Sequence, residues 1–162
     1  MYSALLSPKE ITQSQEHLEM DRLILEFQAA DQSYAIPARL IHRVLEFNPT
    51  RTSDSEHSWA HFNYRTDHGV LPVVSFGQAA NISHHESTTK KPSIILFQPS
   101  TDQLDSHWGL LVDTLHSTAL VGELREGEVP KGLNGSTRLV TATAVVGGRE
   151  LPVLQDPSIF LQ

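Results

Sequence analysis

No cysteine occurs among the 162 residues of the chain. That absence excludes disulfides, zinc–thiolate sites, iron–sulfur clusters and thiol nucleophiles together, and it agrees with a reducing, cytoplasmic setting. Cations are the minority, 12 Lys and Arg against 19 Asp and Glu, for a net charge of −7. Such a chain repels phosphate backbones, so nucleic acid is not an expected partner. No apolar run approaches the ~20 residues that span a bilayer. The opening residues also lack the basic flank and apolar stretch of a secretory signal, so direct membrane insertion is not expected. Neither G-x-x-x-x-G-K-[ST] nor G-x-G-x-x-G is present, and no G-x-S-x-G elbow exposes a serine. The familiar phosphate cradles and nucleophile turns are therefore missing.

What remains is an ordinary globular balance, 39% hydrophobic and 19% charged. It suits one domain, or two small lobes around a common core. Residues 1–20 are rich in Gln, Glu and Ser and read as a flexible arm, with helical tendency from Pro8 to Met20. Residues 21–162 form the domain, and order is expected from Leu23. Short β-type runs then follow one another: Leu23–Phe27, Ser33–Ile36, His61–Arg65, Val70–Phe76, Ser93–Phe97, Trp108–Val112, Thr137–Val146 and Arg149–Val153. Between them, Leu40, Ile41, Val44 and Leu45 recur at helical spacing and predict a short helix within Ala38–Phe47. Asn48–His57 and Ser83–Pro92 are polar loops, Ala119–Leu124 is ambiguous, and Arg125–Ser136 reads as loop. Gly69 and the pair Gly147-Gly148 mark hairpin turns.

Many short strands with little helix predict an all-β barrel or sandwich. One echo adds to this. Leu71-Pro72-Val73 and Leu151-Pro152-Val153 each follow a glycine turn and lie 80 positions apart, from residue 71 to residue 151. The echo suggests two similar lobes. Proline cannot donate to a ladder, so each is expected at an edge or with its nitrogen facing away from a partner strand.

Nine histidines are the compositional oddity. His57 and His61 would share a helix face, as metal ligands require, yet the order is not H-E-x-x-H and no third ligand follows. His84-His85-Glu86 lies in a polar loop. Surface histidines are the favoured reading, and no metal or cofactor is expected. Asp102, Asp105, Glu123, Glu126 and Glu128 read as solvated loop acids rather than an acid/base pair. Lys90 and Lys91 fall far short of a basic patch. Tyr34, Ile36, Trp59, Phe62 and Phe76 are assigned to the core.

Taken in order, several segments resemble the CheW-like domain family. Leu23-Ile24-Leu25-Glu26-Phe27 with Ser33-Tyr34-Ala35-Ile36-Pro37 and the Ile41–Leu45 segment is similar to its opening. Phe62-Asn63-Tyr64-Arg65 with Val70-Leu71-Pro72-Val73-Val74 resembles its N-L-R-G-x-x-x-P-V-x-D-L, and Gly109-Leu110-Leu111-Val112-Asp113 its G-L-x-V-D. Thr141–Asp156 resembles its closing segment. The resemblance implies two small five-stranded β-barrels sharing a hydrophobic core, with minor helix. It further implies a non-catalytic adaptor that joins the cytoplasmic tip of a chemoreceptor to a CheA-type histidine kinase. Ile41, Arg43 and Val44 match the segment that faces partners beside the first barrel. Arg65 matches the arginine near the receptor and kinase contacts, and Val112 and Asp113 match a strand of the second lobe.

The departures from the pattern are specific. Thr66 stands in place of a glycine, the hairpin is two residues longer before Pro72, and Ser75-Phe76 replaces Asp-Leu. Arg43 occupies a position that usually carries an acid, which reverses the local charge and favours a different partner. Together with the Leu-Pro-Val-Val-Ser-Phe ending, this is similar to the divergent ChpC- or PilI-type members that serve type IV pilus systems. Two other readings compete: a small β-barrel ligand- or metal-binding domain built on the histidine-rich loops, and an interaction protein of the same fold outside chemosensory signalling.

Overall fold

A computed structural model describes residues 22–29, 32–79, 91–97, 107–128 and 140–161. The expected arm, the His84-His85 loop, Asp102 and Asp105, Lys90 and the 129–136 loop lie outside these residues. Among the described residues the class is all-β, with one short helix. The elements run β1 (Leu23–Ala29), β2 (Gln32–Pro37), a 3-10 turn (Ala38–Leu40), β3 (Ile41–Glu46), a second 3-10 turn (Pro49–Arg51) and β4 (Thr52–Ser53). Then come β5 (Phe62–Thr66), β6 (Gly69–Ser75), α1 (Phe76–Ala79), β7 (Ser93–Phe97), β8 (Gly109–Val112) and β9 (Thr114–Leu120). The last are β10 (Glu123–Glu126), β11 (Ala142–Val146), β12 (Arg149–Val153) and a 3-10 turn at Pro157–Leu161.

The strands form two six-stranded sheets, β10-β11-β12-β2-β1-β9 in lobe 1 and β3-β7-β8-β6-β5-β4 in lobe 2. They are open sheets rather than the closed five-stranded barrels expected. In each lobe, however, the two edge strands are consecutive in the chain: β9 and β10 in one, β3 and β4 in the other. A short link therefore joins edge to edge. In lobe 1 the Val121 N–H donates to the Arg22 carbonyl and the Gly122 N–H to the Val145 carbonyl, both at 2.9 Å.

Each sheet takes four strands from one half of the chain and two from the other. Strands β1 and β2 complete the sheet of β9–β12, and β7 and β8 complete the sheet of β3–β6. The halves are thus reciprocally exchanged, and neither can form its sheet alone. Registers match closely. Phe62↔Val73, Tyr64↔Leu71 and Thr66↔Gly69 in lobe 2 correspond to Ala142↔Val153, Ala144↔Leu151 and Val146↔Arg149 in lobe 1. Val73 pairs in parallel with Gly109, and Val153 with Ala35. The two Leu-Pro-Val segments hold equivalent places, and each proline precedes the first parallel pair, where no donor is needed on that side.

Alternation along the central strands feeds three apolar clusters. Leu25, Phe27, Tyr34, Ile36, Val74, Phe76, Ile95, Phe97, Trp108 and Leu110 belong to the core shared between the sheets. Their neighbours on the other face fill the separate lobes: Ala35, Ala142, Ala144, Leu151 and Val153 in lobe 1, and Tyr64, Leu71, Val73, Ile94 and Leu96 in lobe 2. Tyr34, Ile36 and Phe76 are buried as expected, whereas Trp59 and Phe62 are only partly so.

Three local expectations are corrected. The Ala38–Phe47 helix is a 3-10 turn followed by β3, with a register shift between Ile41 and Arg43. That bulge breaks the period of two and imitates helical spacing. Arg125 and Glu126, read as loop, lie in β10. His57 and His61 share no helix: His57 stacks on Trp59 with ring centres 5.0 Å apart, and His61 Nδ1 accepts the Ser75 N–H at 2.8 Å.

Candidate functional site

Lobe 2 carries a groove of about 740 Å³ between β3, the following 3-10 turn and the β5–β6 hairpin. Its wall is held by side chains. The Tyr64 hydroxyl donates to the Glu46 carbonyl and accepts from the Asn48 N–H, both at 3.1 Å, which ties β5 to the end of β3 across the open sheet. Asn48 Oδ1 accepts from the Thr50 N–H at 3.1 Å and caps the turn. Phe47 packs near both Phe62 and Tyr64, with ring centres 5.8 Å apart in each case. The groove is therefore preformed, and an incoming group would meet little ordering cost there.

Ile41, Arg43 and Val44 are together on β3. Ile41 is half-buried and packs against the shared core, while Arg43 and Val44 are exposed, Val44 at 38%. Arg43 lines the groove, and its side chain has no ion pair or hydrogen bond among the described residues. Arg65 is exposed on β5 directly across from Val70, which is 60% exposed, and it too has no ion-pair partner among the described residues. Its neighbours Tyr64 and Thr66 line the groove, so Arg65 belongs to the opposite face of the strand. Val112 is 1% exposed in the shared core, where no partner reaches it. Asp113 is half-buried at the β8–β9 corner, and its N–H donates to the Gln28 carbonyl at 3.1 Å. The structure thus groups Ile41, Arg43 and Val44, places Arg65 across the lobe, and sets Val112 and Asp113 apart.

The matching place in lobe 1 is occupied. Glu26, 8% exposed, accepts two hydrogen bonds from Arg149, at 2.6 and 3.3 Å. This bidentate pair, with burial opposing it, holds the Glu26 carboxyl below its ordinary pKa. By register, Glu26 corresponds to Leu96 and Arg149 to Gly69, and both Leu96 and Gly69 line the lobe 2 groove. Lobe 2 has no side chain where lobe 1 has Arg149, which leaves the groove open between Leu96 and the link that follows β3. Residues 26 and 149 lie 123 positions apart, so no local signal could have revealed the pair. Exposed Leu120 and Leu124, at 57% and 46%, were also missed; they flank the β9–β10 corner.

Among the described residues, no three His, Asp or Glu side chains are grouped to hold a metal, and no helix is long and apolar enough to cross a membrane. Two interlocked sheets with exposed apolar side chains on both lobes, Val44 and Val70 on one and Leu120 and Leu124 on the other, have the make-up of a protein-interaction module. The comparisons agree: the CheW-like domain model matches residues 23–161, and the chain belongs to that family. No curated protein matches the sequence. Among solved structures, the scaffolding protein TtCheW from Thermoanaerobacter tengcongensis superposes with a TM-score of 0.64 at 15% identity, covering 86% of this chain and 92% of that one.

Proposed function

We propose that the protein is a non-catalytic adaptor that couples chemoreceptors to a CheA-type histidine kinase at the cytoplasmic face of a receptor array. The observation that carries this reading is the family match over residues 23–161, which spans both lobes. An adaptor needs at least two separate surfaces, and the molecule offers them. Arg43 on β3 lines the groove, with Val44 exposed beside it and Ile41 behind, while Arg65 is exposed on the β5–β6 hairpin outside the groove lining. Within this role we favour a type IV pilus system, because Arg43 reverses a charge that the ordinary partner would meet.

The test is direct. Purified protein is titrated with the kinase regulatory domain, with a receptor cytoplasmic fragment, and with both together. Binding to each and formation of the ternary complex support the reading. Failure to bind either partner refutes it. Deletion of the gene should impair twitching and leave swimming intact; the reverse phenotype refutes the pilus assignment.

A further inference from the structure

We infer that the lobe 2 groove receives an acidic segment with an apolar face, its carboxylate meeting Arg43 and an apolar side chain filling the space beside Gly69 and Leu96. The inference deepens the adaptor reading and rests on it, since it names the chemistry of one partner surface. Three observations select this occupant. First, lobe 1 shows what the same position looks like when filled, because the side chain of Arg149 lies against Glu26 there. Lobe 2 has Gly69, with open space around its Cα, and an apolar floor of Leu71 and Leu96. A group that replaces the missing plug must therefore be apolar at its tip.

Second, the charges around the groove are unequally satisfied. Arg51 already faces Asp67 at 3.6 Å, whereas Arg43 has no partner among the described residues. Glu46 is the other acid of the lining and lies on the same strand as Arg43. A guanidinium beside an apolar floor is best satisfied by a carboxylate, which it can bind through two donors. Third, the lining itself carries an accessible apolar side chain, Val70, which is 60% exposed. An amphipathic helix presents both requirements on one face: apolar residues at helical spacing, flanked by acids.

The experiment uses the full chain and two synthetic amphipathic peptides of about 15 residues, leucine-faced, one flanked by glutamate and the other by lysine. Backbone amide shifts map the binding site, and fluorescence anisotropy gives the affinity. The glutamate peptide is expected to shift the amides of residues 42–47 and 66–71, and to bind at least ~10-fold more tightly than the lysine peptide. Arg43→Glu should reverse that preference, and Arg43→Gln should abolish it. Arg43 is exposed, so both variants should keep the wild-type amide pattern of lobe 1. Equal affinity for both peptides, shifts confined to another surface, or no binding at all would overturn the inference. In parallel, wild-type protein that still binds kinase and receptor while ignoring the peptides leaves the adaptor reading standing without the groove. Protein that binds the peptides but neither partner leaves the groove standing without the adaptor.

Discussion

Lobe 1 closes its mouth with Arg149 on Glu26, while lobe 2 has Gly69 and Leu96 at the corresponding positions and keeps a groove of about 740 Å³. The strand order is equivalent, so the difference lies in the side chains and in the link between edge strands, which is residues 121–122 in lobe 1 but residues 47–51, with a 3-10 turn, in lobe 2. Lobe 1 lines its hairpin with Ala142 and Ala144; lobe 2 has Phe62 and Tyr64 there. Small residues let lobe 1 draw its strands around a buried carboxylate. Large aromatics hold lobe 2 open and give Tyr64 the reach to tie β5 to β3. One pattern of ladders thus supports a lobe closed at Arg149 and a lobe open at Gly69.

The largest effect on stability should come from truncating the two equivalent leucines. Leu151→Ala and Leu71→Ala are each expected to cost about 2–5 kcal/mol in urea unfolding. Among the described residues, Leu151 sits 3% exposed away from any groove and Leu71 7% exposed beneath the lobe 2 groove, where water can enter the space left behind. Leu151→Ala should therefore be the costlier. The reverse order would mean that lobe 1 collapses around the deletion and is not tightly filled.

Next comes the pair Gly109 and Ala35, which occupy matching places opposite Val73 and Val153. A Cβ on Gly109 would lie 2.5 Å from Ile94 Cγ2 and 3.2 Å from Leu71 Cδ1. Gly109→Ala should destabilise by about 1–3 kcal/mol through overpacking. The opposite change, Ala35→Gly, should cost only about 0.5–1 kcal/mol, chiefly in backbone entropy. Equal thermal shifts for the two variants would show that lobe 2 yields as easily as lobe 1.

Much of this architecture is readable from the residues, and the parts that are not have physical causes. Glycine turns and β-branched runs mark β5–β6 and β11–β12 because hairpin chemistry is local. The Leu-Pro-Val echo pointed to two lobes, yet the rest of the repeat is hidden: Phe62 and Ala142 share a register without sharing a character. The strand exchange is a property of pairing between distant segments, so composition carries no trace of it. Ile41, Arg43 and Val44 lie on one strand, β3, although their spacing with Leu40 and Leu45 misled toward a helix. The groove itself is not legible, because it arises from a missing side chain at Gly69 set against the distant Leu96 and the turn after β3.

A smaller effect separates the lobes by pH. Glu26→Gln should cost about 1–2 kcal/mol at neutral pH, a reduced figure because Arg149 is 57% exposed and screened by water. The Glu26 carboxyl titrates below its ordinary 4.5, so its contribution is present above that pH and is lost as pH falls further. In lobe 2, partial desolvation lowers the His61 imidazole pKa from its ordinary 6.5, and the neutral Nδ1 accepts the Ser75 N–H. That contribution is present above 6.5 and is lost on acidification below it. Amides around β6 should therefore lose exchange protection at milder acidity than those of β12. His61→Asn, which keeps an acceptor but does not titrate, should remove the difference; an unchanged profile would exclude His61 as its source.

The smallest effect on stability, and the most informative for function, is expected at Arg65. Its register partner in lobe 1 is Val145, so the cation is a feature of lobe 2 alone. It is exposed, has no ion-pair partner among the described residues, and lies outside the groove lining. Arg65→Ala should change unfolding free energy by no more than about 0.5 kcal/mol, as expected for a surface substitution. Binding should behave differently. A guanidinium in a desolvated contact meets a carboxylate through two donors, and losing one partner of such a pair costs roughly 2–5 kcal/mol, against about 0–1 at an exposed rim. At least ~10-fold weaker binding to the kinase domain or the receptor fragment, about 1.4 kcal/mol, is therefore expected. Because Arg65 and Arg43 lie on different faces, Arg65→Ala should leave the glutamate peptide's affinity for the groove unchanged. If it weakened peptide binding as strongly as kinase or receptor binding, the two arginines would form one surface, and the separation of groove from outer face would fail. If it altered neither, Arg65 would be solvated surface, and the contacts of the adaptor would have to be sought along β3.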